Sequence, residues 1–174
     1  MIRIAAFLLI SIAWLGLSRN CLRSTRVHGF YRFFALESVL IVVLLNAPAW
    51  FDHPGSPRQL LSWALLLGSA ILPLHGFHLL RTSGAPRGRI EDTTRLVTRG
   101  VYRYIRHPLY CSLLLGIWGA FLKQPSRSAG AVAAVGSLFA AATARVEERE
   151  NLGKFGAEYQ TYRSRTKMFI PFVI

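Results

Sequence analysis

A histidine and a proline stand side by side where an apolar stretch of the chain begins. His107 precedes Pro108, and the apolar stretch Leu109–Leu122 follows. Proline suits the first turn of a helix because its missing N–H would have no partner there. The N–H groups left free at a helix start, and the helix dipole, attract anions. The pair therefore predicts an imidazole beside an anion-binding helix start, although Tyr102 and Tyr110 nearby also fit an interfacial belt of aromatic and basic residues.

Three of the eight carboxylates in the chain, Glu147, Glu148 and Glu150, lie within four residues just after the apolar block Ala129–Ala144. Neither the helix dipole nor the preference for basic residues at the cytoplasmic end of a membrane helix favours acidic residues there. A carboxylate as close to the hydrocarbon as Glu147 usually has a partner. Glu150 fits a solvated helix face with Lys154 four residues on. We therefore expect Glu147 to be functional and Glu150 to contribute little.

The elements that must position these residues are apolar blocks separated by charges. Five blocks stand out: Ile4–Leu17, Phe33–Phe51, Leu60–Leu80, Leu109–Leu122 and Ala129–Ala144. A soluble basic protein that binds nucleic acid would spread its apolar residues at helix or strand spacing, so this pattern excludes that class. It predicts an all-α integral membrane protein of one domain, 1–174, with about five transmembrane helices. Cys21 and Cys111 form no CxxC or Cys/His cluster, so no disulfide and no metal site are expected.

The distribution of basic residues predicts the orientation of the chain in the membrane. Three segments, 19–32, 81–106 and 145–167, hold 17 of the 21 lysines and arginines. Positive charge stays in the cytoplasm, which predicts a multi-pass protein with its N-terminus outside and its C-terminus in the cytoplasm. Anionic headgroups are the natural partner of these segments. Lys123 and Arg127 are then expected to hold the turn between the last two blocks at the outer surface.

Several polar or aromatic residues outside these groups carry weaker predictions. Leu152, Phe155, Tyr159 and Tyr162 are spaced to form one stripe on a cytoplasmic amphipathic helix. Glu37 lies inside the second block, about one turn from its cytoplasmic edge, where a functional role and snorkelling both remain open. His75 and His78 have no carboxylate nearby and are interpreted as packing or interfacial residues.

Short motifs at set spacings fill the second half of the chain. They are Gly100-Val101-Tyr102, Arg106-His107-Pro108-Leu109-Tyr110, Arg145-Val146-Glu147-Glu148, Phe155-Gly156-Ala157-Glu158-Tyr159 and Ile170-Pro171-Phe172. In this pattern the chain resembles the isoprenylcysteine carboxyl methyltransferase and phospholipid methyltransferase superfamily of integral membrane enzymes. The resemblance covers residues 94–174. An RHPxY motif, a membrane hairpin, a Glu-Glu pair and FGxxY in that order make it specific.

The resemblance implies an S-adenosylmethionine-dependent methyltransferase that acts on a lipid or prenylated, amphiphilic acceptor. Carried onto matching positions, the cofactor-binding residues are Leu96, Val97, Tyr102, His107, Pro108, Leu109, Tyr110 and Glu147. The chemistry is compatible, since the cofactor has a carboxylate for His107 and cationic groups for Glu147. No glycine-rich loop follows a strand, which excludes a soluble Rossmann methyltransferase.

Two departures from the family pattern concern the acceptor rather than the cofactor. Ser112 stands where the family often has glycine, and Thr143 stands where isoprenylcysteine enzymes have a substrate-binding arginine. Arg145 is near but on another face of the helix. Arg145 and Glu148 are the catalytic candidates, Glu148 as a base for an amine acceptor. The alternatives are an NADPH-dependent membrane sterol-type reductase with a similar RHP region, or a non-catalytic protein that keeps the fold.

Overall fold

The computed structural model describes residues 2–88 and 92–171 of the chain, and these parts are helical. Apolar residues in long runs, interrupted by turn-forming Pro, Gly and Ser, produce the helices α1 (Ile2–Ser18), α2 (His28–Asn46), α3 (Pro57–Ser83), α4 (Pro108–Phe121), α5 (Arg127–Phe155) and α6 (Ala157–Arg165). Short 3₁₀ helices occupy Ala47–Ala49 and Gly100–Arg103. The described residues contain two isolated β-bridges and no sheet. The all-α prediction is confirmed.

Three of the helices are long and apolar enough to cross a membrane. They are α2 with its 3₁₀ extension, α3 and α5, at 22, 27 and 29 residues. The apolar helices α1 and α4 are shorter, at 17 and 14 residues. A 14-residue helix is about 21 Å long, less than the ~30 Å hydrocarbon core. The chain is therefore an integral membrane protein in which three spans meet the length criterion and two apolar helices fall short of it.

The fifth block is the start of a much longer helix than its apolar residues indicate. The block ends at Ala144, but α5 continues without a break through the carboxylates to Phe155. Gly156 ends it with φ 54°, a left-handed conformation that favours glycine. Tyr159 and Tyr162 consequently belong to α6, where both are buried. The prediction of one continuous stripe from Leu152 to Tyr162 is therefore wrong.

Small residues let α5 lie close to its neighbours. α2 packs along α5, α3 packs along α4, and α4 also contacts α2 and α5. A methyl group on Gly136 would lie 2.6 Å from Ser38 Cβ and from Ile117 Cδ1. Ile117 forms a core cluster with Val42, Ala120 and Ala133. α1 packs on α2 and has no fully buried residue among those described.

The turn between α4 and α5 is held by a buried lysine. Lys123 is 0% exposed, its Nζ donates to Gln59 Oε1 at 2.9 Å, and it lies 3.4 Å from the Trp63 ring centroid. Gln59 in turn donates to Ala49 O. The prediction that Lys123 holds this turn at the outer surface missed its burial, since aromatic rings and an amide take the place of water around the amine.

The opposite end of the bundle collects the segments that carry the motifs. We call it the motif end; its described residues are 19–32, 84–88, 92–107 and 145–171. Backbone hydrogen bonds to the chain after α6 hold His107 there: Arg106 N donates to Lys167 O at 2.8 Å, and His107 N donates to Met168 O at 3.2 Å. The three segments rich in basic residues thus lie together at one end.

Candidate functional site

A cavity of about 550 Å³ opens at the motif end and continues between the helices. The 3₁₀ helix, the start of α4, and the carboxylate-bearing part of α5 form its polar end. The eight residues predicted to bind a cofactor all line it: Leu96, Val97, Tyr102, His107, Pro108, Leu109, Tyr110 and Glu147. The structure therefore brings these residues together around one space of a size typical for small-molecule sites.

His107 is the centre of the polar end. It is 4% exposed, and its ring stacks on Tyr110 with centroids 5.5 Å apart. Nδ1 lies 3.9 Å from Glu147 Oε2, and Nε2 lies 3.6 Å from Glu148 Oε1. The Tyr110 hydroxyl donates to Glu147 Oε2. An imidazole between two carboxylates, with one carboxylate oriented by a tyrosine, can offer both hydrogen-bonding groups and negative charge to a ligand.

Glu148 faces away from the cavity and pairs with Arg106. Arg106 Nε and Nη2 each lie 2.7 Å from Glu148 Oε1, and Nη1 donates to the carbonyl oxygens of Arg163 and Thr166. Both side chains are largely buried, at 8% and 7% exposure. Glu148 therefore holds the RHP segment and the chain after α6 together.

The second catalytic candidate lies outside the cavity. Arg145 is exposed on α5 and does not line the cavity. Thr143 is buried, and its hydroxyl donates to Phe139 O of its own helix at 2.7 Å. Ser112 does line the cavity and donates to Leu109 O. Of the two residues that depart from the family pattern, Ser112 therefore lines the cavity and Thr143 does not.

Three tyrosines form an aromatic wall beside His107. Tyr162 Oη donates to Tyr102 O at 2.7 Å, which ties α6 to the 3₁₀ helix. The Tyr159 hydroxyl is buried and makes no hydrogen bond within the described part of the chain. Burial, aided by the charge of Glu148, raises the pKa of Tyr159 to about 12, and burial also raises the pKa of Tyr102 and of Tyr162. All three therefore remain neutral hydroxyls at physiological pH.

The aromatic wall includes two residues that the sequence did not assign to the site. Tyr159 and Tyr162 were placed on a surface stripe, but they line the cavity. The feature of the sequence that could have identified them is Gly156, which ends α5 and lets the chain turn so that both tyrosines face inward.

The other end of the cavity is apolar and is built from the first half of the chain. Trp14 and Leu17 of α1, Leu36 and Val39 of α2, and Phe77 of α3 line it. No motif marks these residues, so sequence reasoning missed them. A hydrophobic chamber next to a charged end suits a ligand with two chemically different parts.

Other residues singled out from the sequence have structural surroundings. Ser11 Oγ of α1 donates to Glu37 Oε2 at 2.7 Å, so Glu37 bonds a neighbouring helix and does not snorkel. A methyl group on Gly100 would lie 2.9 Å from His75 Nε2, which places His75 over the 3₁₀ helix. Glu150 accepts from His28 N at 3.0 Å, and its Oε2 lies 2.5 Å from His28 Nδ1. Glu150 is exposed, as predicted, but its partner is His28 rather than Lys154, which pairs with Asp92.

Residues 57–158, more than half of the chain, match the family model described as phospholipid methyltransferase. Protein-S-isoprenylcysteine O-methyltransferase B from Arabidopsis thaliana is 31% identical over 95% of this chain and 85% of its own length. Methanethiol S-methyltransferase 1 from Bradyrhizobium diazoefficiens is 30% identical over 63% of this chain, and methanethiol S-methyltransferase from a Pseudomonas strain is 28% identical over 79%.

The chain spans only part of the two methanethiol S-methyltransferases, 38% and 58% of their lengths. No solved structure matches the chain. Among the described residues, no three His, Cys, Asp or Glu side chains form a group that could hold a metal ion.

Proposed function

Since the chain belongs to the phospholipid methyltransferase family of membrane methyltransferases, we propose that it transfers a methyl group from S-adenosylmethionine to an amphiphilic acceptor. One observation carries the proposal. A single cavity joins a polar end, lined by the RHPxY motif and by Glu147, to an apolar chamber between α1, α2 and α3. The polar end suits a water-soluble methyl donor, and the chamber suits an alkyl or prenyl tail.

The residues at the polar end fit the charges of S-adenosylmethionine. His107 and the first turn of α4 suit its carboxylate, because unpaired N–H groups and the helix dipole attract anions there. Glu147, oriented by Tyr110, suits its cationic groups. The buried Tyr159 hydroxyl, which accepts or donates no hydrogen bond among the described residues, and the aromatic wall suit the adenosine. The proposed cofactor residues remain Leu96, Val97, Tyr102, His107, Pro108, Leu109, Tyr110 and Glu147.

The bound cofactor would supply an electrophilic methyl group on a sulfonium. In the transfer, the methyl–sulfur bond breaks as the bond to the acceptor heteroatom forms, and the bond pair stays on sulfur as a neutral thioether. The protein's task is alignment in a closed, apolar space. A carboxylate acceptor needs no base, whereas a thiol or amine would give its proton to water at the open polar end of the cavity. Glu148 acts in this proposal by positioning Arg106 and His107, and Arg145 has no part in the step.

The motif end faces the cytoplasm in this proposal, and the N-terminus lies outside. Segments 19–32, 81–106 and 145–167, which supply this end, hold 17 of the 21 basic residues, as the positive-inside preference requires. Reporter fusions after Arg26 and Gly156 should report the cytoplasm, and fusions at Gly55 and Ser126 should report the outside. A cytoplasmic Gly55 would refute this orientation.

Cofactor binding tests the first half of the proposal. Purified protein in nanodiscs should bind labelled S-adenosylmethionine and not NADPH, and His107→Ala and Glu147→Ala should each weaken binding by roughly 10- to 100-fold, since each removes a charge-assisted hydrogen bond. Arg149→Ala, on an exposed face of α5, is the matched control. Binding of NADPH would point to a reductase, and binding of neither to a non-catalytic protein.

The acceptor tests the second half. Acceptors that share one reactive head and carry tails of rising length should be methylated with rising kcat/KM. The gain should correspond to up to ~0.8 kcal/mol of binding free energy per buried methylene. Methanethiol belongs in the series because both bacterial relatives described above are named for it. If methanethiol is methylated as efficiently as the long-tailed thiols, the apolar chamber does not bind the acceptor.

A further inference from the structure

The apolar chamber ends at three residues deep in the bundle. Gly116 of α4, Ser69 of α3 and Val39 of α2 line the cavity, and each is the described lining residue of its helix that lies farthest from the motif end. A Cβ on Gly116 would lie 3.6 Å from both Cβ and Oγ of Ser69, so α3 and α4 meet at this level. We call these three residues the floor of the chamber.

The bundle beyond the floor is closely packed. A Cβ on Gly119, one turn farther along α4, would lie only 3.0 Å from Leu66 Cγ. Ser62 Oγ of α3 donates to Gly119 O at 2.7 Å. On the side of α2, Val39 packs against the core cluster that contains the buried Ile117. A ligand that reaches the floor therefore has no room to continue along the bundle.

Two helices give nearly the same depth for the chamber. A Cβ on Gly76 would lie 3.7 Å from Pro108 Cγ and 3.5 Å from Tyr102 Oη, so Gly76 of α3 lies level with the start of α4. The rise from Gly76 to Ser69 is about 10.5 Å, and the rise from Pro108 to Gly116 is about 12 Å. An extended chain advances about 1.2 Å per bond, so this depth matches a tail of about ten carbons.

We propose that Gly116, together with Ser69 and Val39, sets the longest acceptor tail that the chamber encloses, at about ten carbons of extended chain. This inference rests on the proposed function and narrows its acceptor to an amphiphile with a tail of that reach. A shorter tail leaves the end of the chamber unfilled and loses packing contacts. A longer tail has to fold back or leave the chamber for the lipid. Gly116 is the deciding position, because any side chain there would occupy the floor.

Competition for the chamber, measured without methyl transfer, tests the inference. The probe is a ten-carbon thiol with a diazirine at its tail tip, and peptide mass spectrometry follows its insertion into α4 in reducing buffer. Unbranched alkanethiols of about 6 to about 16 carbons, which bracket the chamber depth, compete at one mole fraction in the nanodisc lipid. With wild-type protein, competition should strengthen up to about ten carbons and then stop rising.

Variants of the floor should move this optimum in opposite directions. Gly116→Leu should shorten it by about three carbons, the reach of the added side chain, and Gly116→Ala by about one. Val39→Ala removes two methyl groups from the floor and should lengthen it. Gly16→Leu is the matched control, because a Cβ on Gly16 meets nothing within 4 Å and Gly16 does not line the cavity.

Four results would overturn the inference. They are absence of probe insertion in α4, competition that keeps strengthening through the longest thiols, an optimum that Gly116→Leu leaves unchanged, and a shift in Gly16→Leu as large as that in Gly116→Leu. If Gly116→Leu does not fold, Gly116→Ala decides, since its methyl group meets Ser69 at an ordinary contact distance. Absence of S-adenosylmethionine binding in the wild type would instead refute the proposed function and leave the length optimum standing.

Discussion

Glu148 offers a sharp test of whether a carboxylate in the motif does chemistry or holds the site together. We predict that Glu148→Ala unfolds or strongly destabilises the motif end, because it leaves the Arg106 guanidinium buried without a counter-charge. The two side chains are 8% and 7% exposed, and Arg106 Nε and Nη2 both lie 2.7 Å from the same carboxylate oxygen.

The magnitude follows from that burial. Removing one partner of a buried ion pair costs about 3–5 kcal/mol. For a chain of this size, such a loss lowers Tm by roughly 6–20 °C. Glu148→Gln keeps an oxygen that accepts from Arg106 but loses the charge, so its loss should be smaller. Replacing both partners with methionine removes the uncompensated charge and should recover part of the stability.

Thermal unfolding in detergent and binding of S-adenosylmethionine together provide the assay. Glu148→Ala should lower Tm and weaken cofactor binding in parallel, since the pair also holds the segment before His107. Arg149→Ala, whose side chain is exposed on the same helix, should change neither.

A catalytic base would behave differently. If Glu148→Gln kept the wild-type Tm and the wild-type affinity for the cofactor but lost turnover of a thiol or amine acceptor, Glu148 would be acting on the acceptor. The positioning role assigned to it would then be refuted.

Three further substitutions test packing elsewhere in the bundle. Glu150→Ala should lower stability by about 0.5–2 kcal/mol, as loss of a helix cap does, because it removes the acceptor for His28 N; an unchanged Tm would show that this exposed contact does not stabilise the protein. Gly136→Ala should destabilise by about 1–3 kcal/mol through contacts of 2.6 Å, whereas Gly130→Ala, whose methyl would meet its nearest neighbour at 3.5 Å, should not; equal Tm values for the two would contradict the close packing of α5. Lys123→Met should lower the free energy of unfolding by about 1–2 kcal/mol, because it leaves the amide oxygen of its glutamine partner without that donor. A more stable variant would show that burying the amine destabilises the protein.

The helices could be predicted from sequence because lipid exposure requires long apolar runs. The ends of the helices could not be predicted in this way. α5 continues past Ala144 because the charged residues that follow favour helix nearly as well as alanine does. Lys123 was misplaced for a different reason. An amine is expected in water unless tertiary structure supplies rings and an acceptor, and Gln59 and Trp63 come from another helix.

The residues of the site also fall into those that local sequence patterns predict and those that only the packing of the helices determines. His107, Tyr110 and Glu147 were found because they lie in short motifs, and they meet around the cavity. Their role in cofactor binding stays a prediction. Trp14 and Arg32 could not be found, because their place in the cavity depends on how α1 and α2 pack rather than on any local pattern.

The end of α5 also constrains how the chain can change in length. Glu147, Glu148 and Glu150 bond three different parts of the protein: Tyr110, Arg106 and His28. One inserted residue upstream in α5 would rotate all three carboxylates by about 100° and advance them by about 1.5 Å. Substitutions alter these contacts singly, whereas an insertion or deletion alters them at once. Insertions should therefore accumulate in the turn before α3 and be absent from α5 among functional relatives.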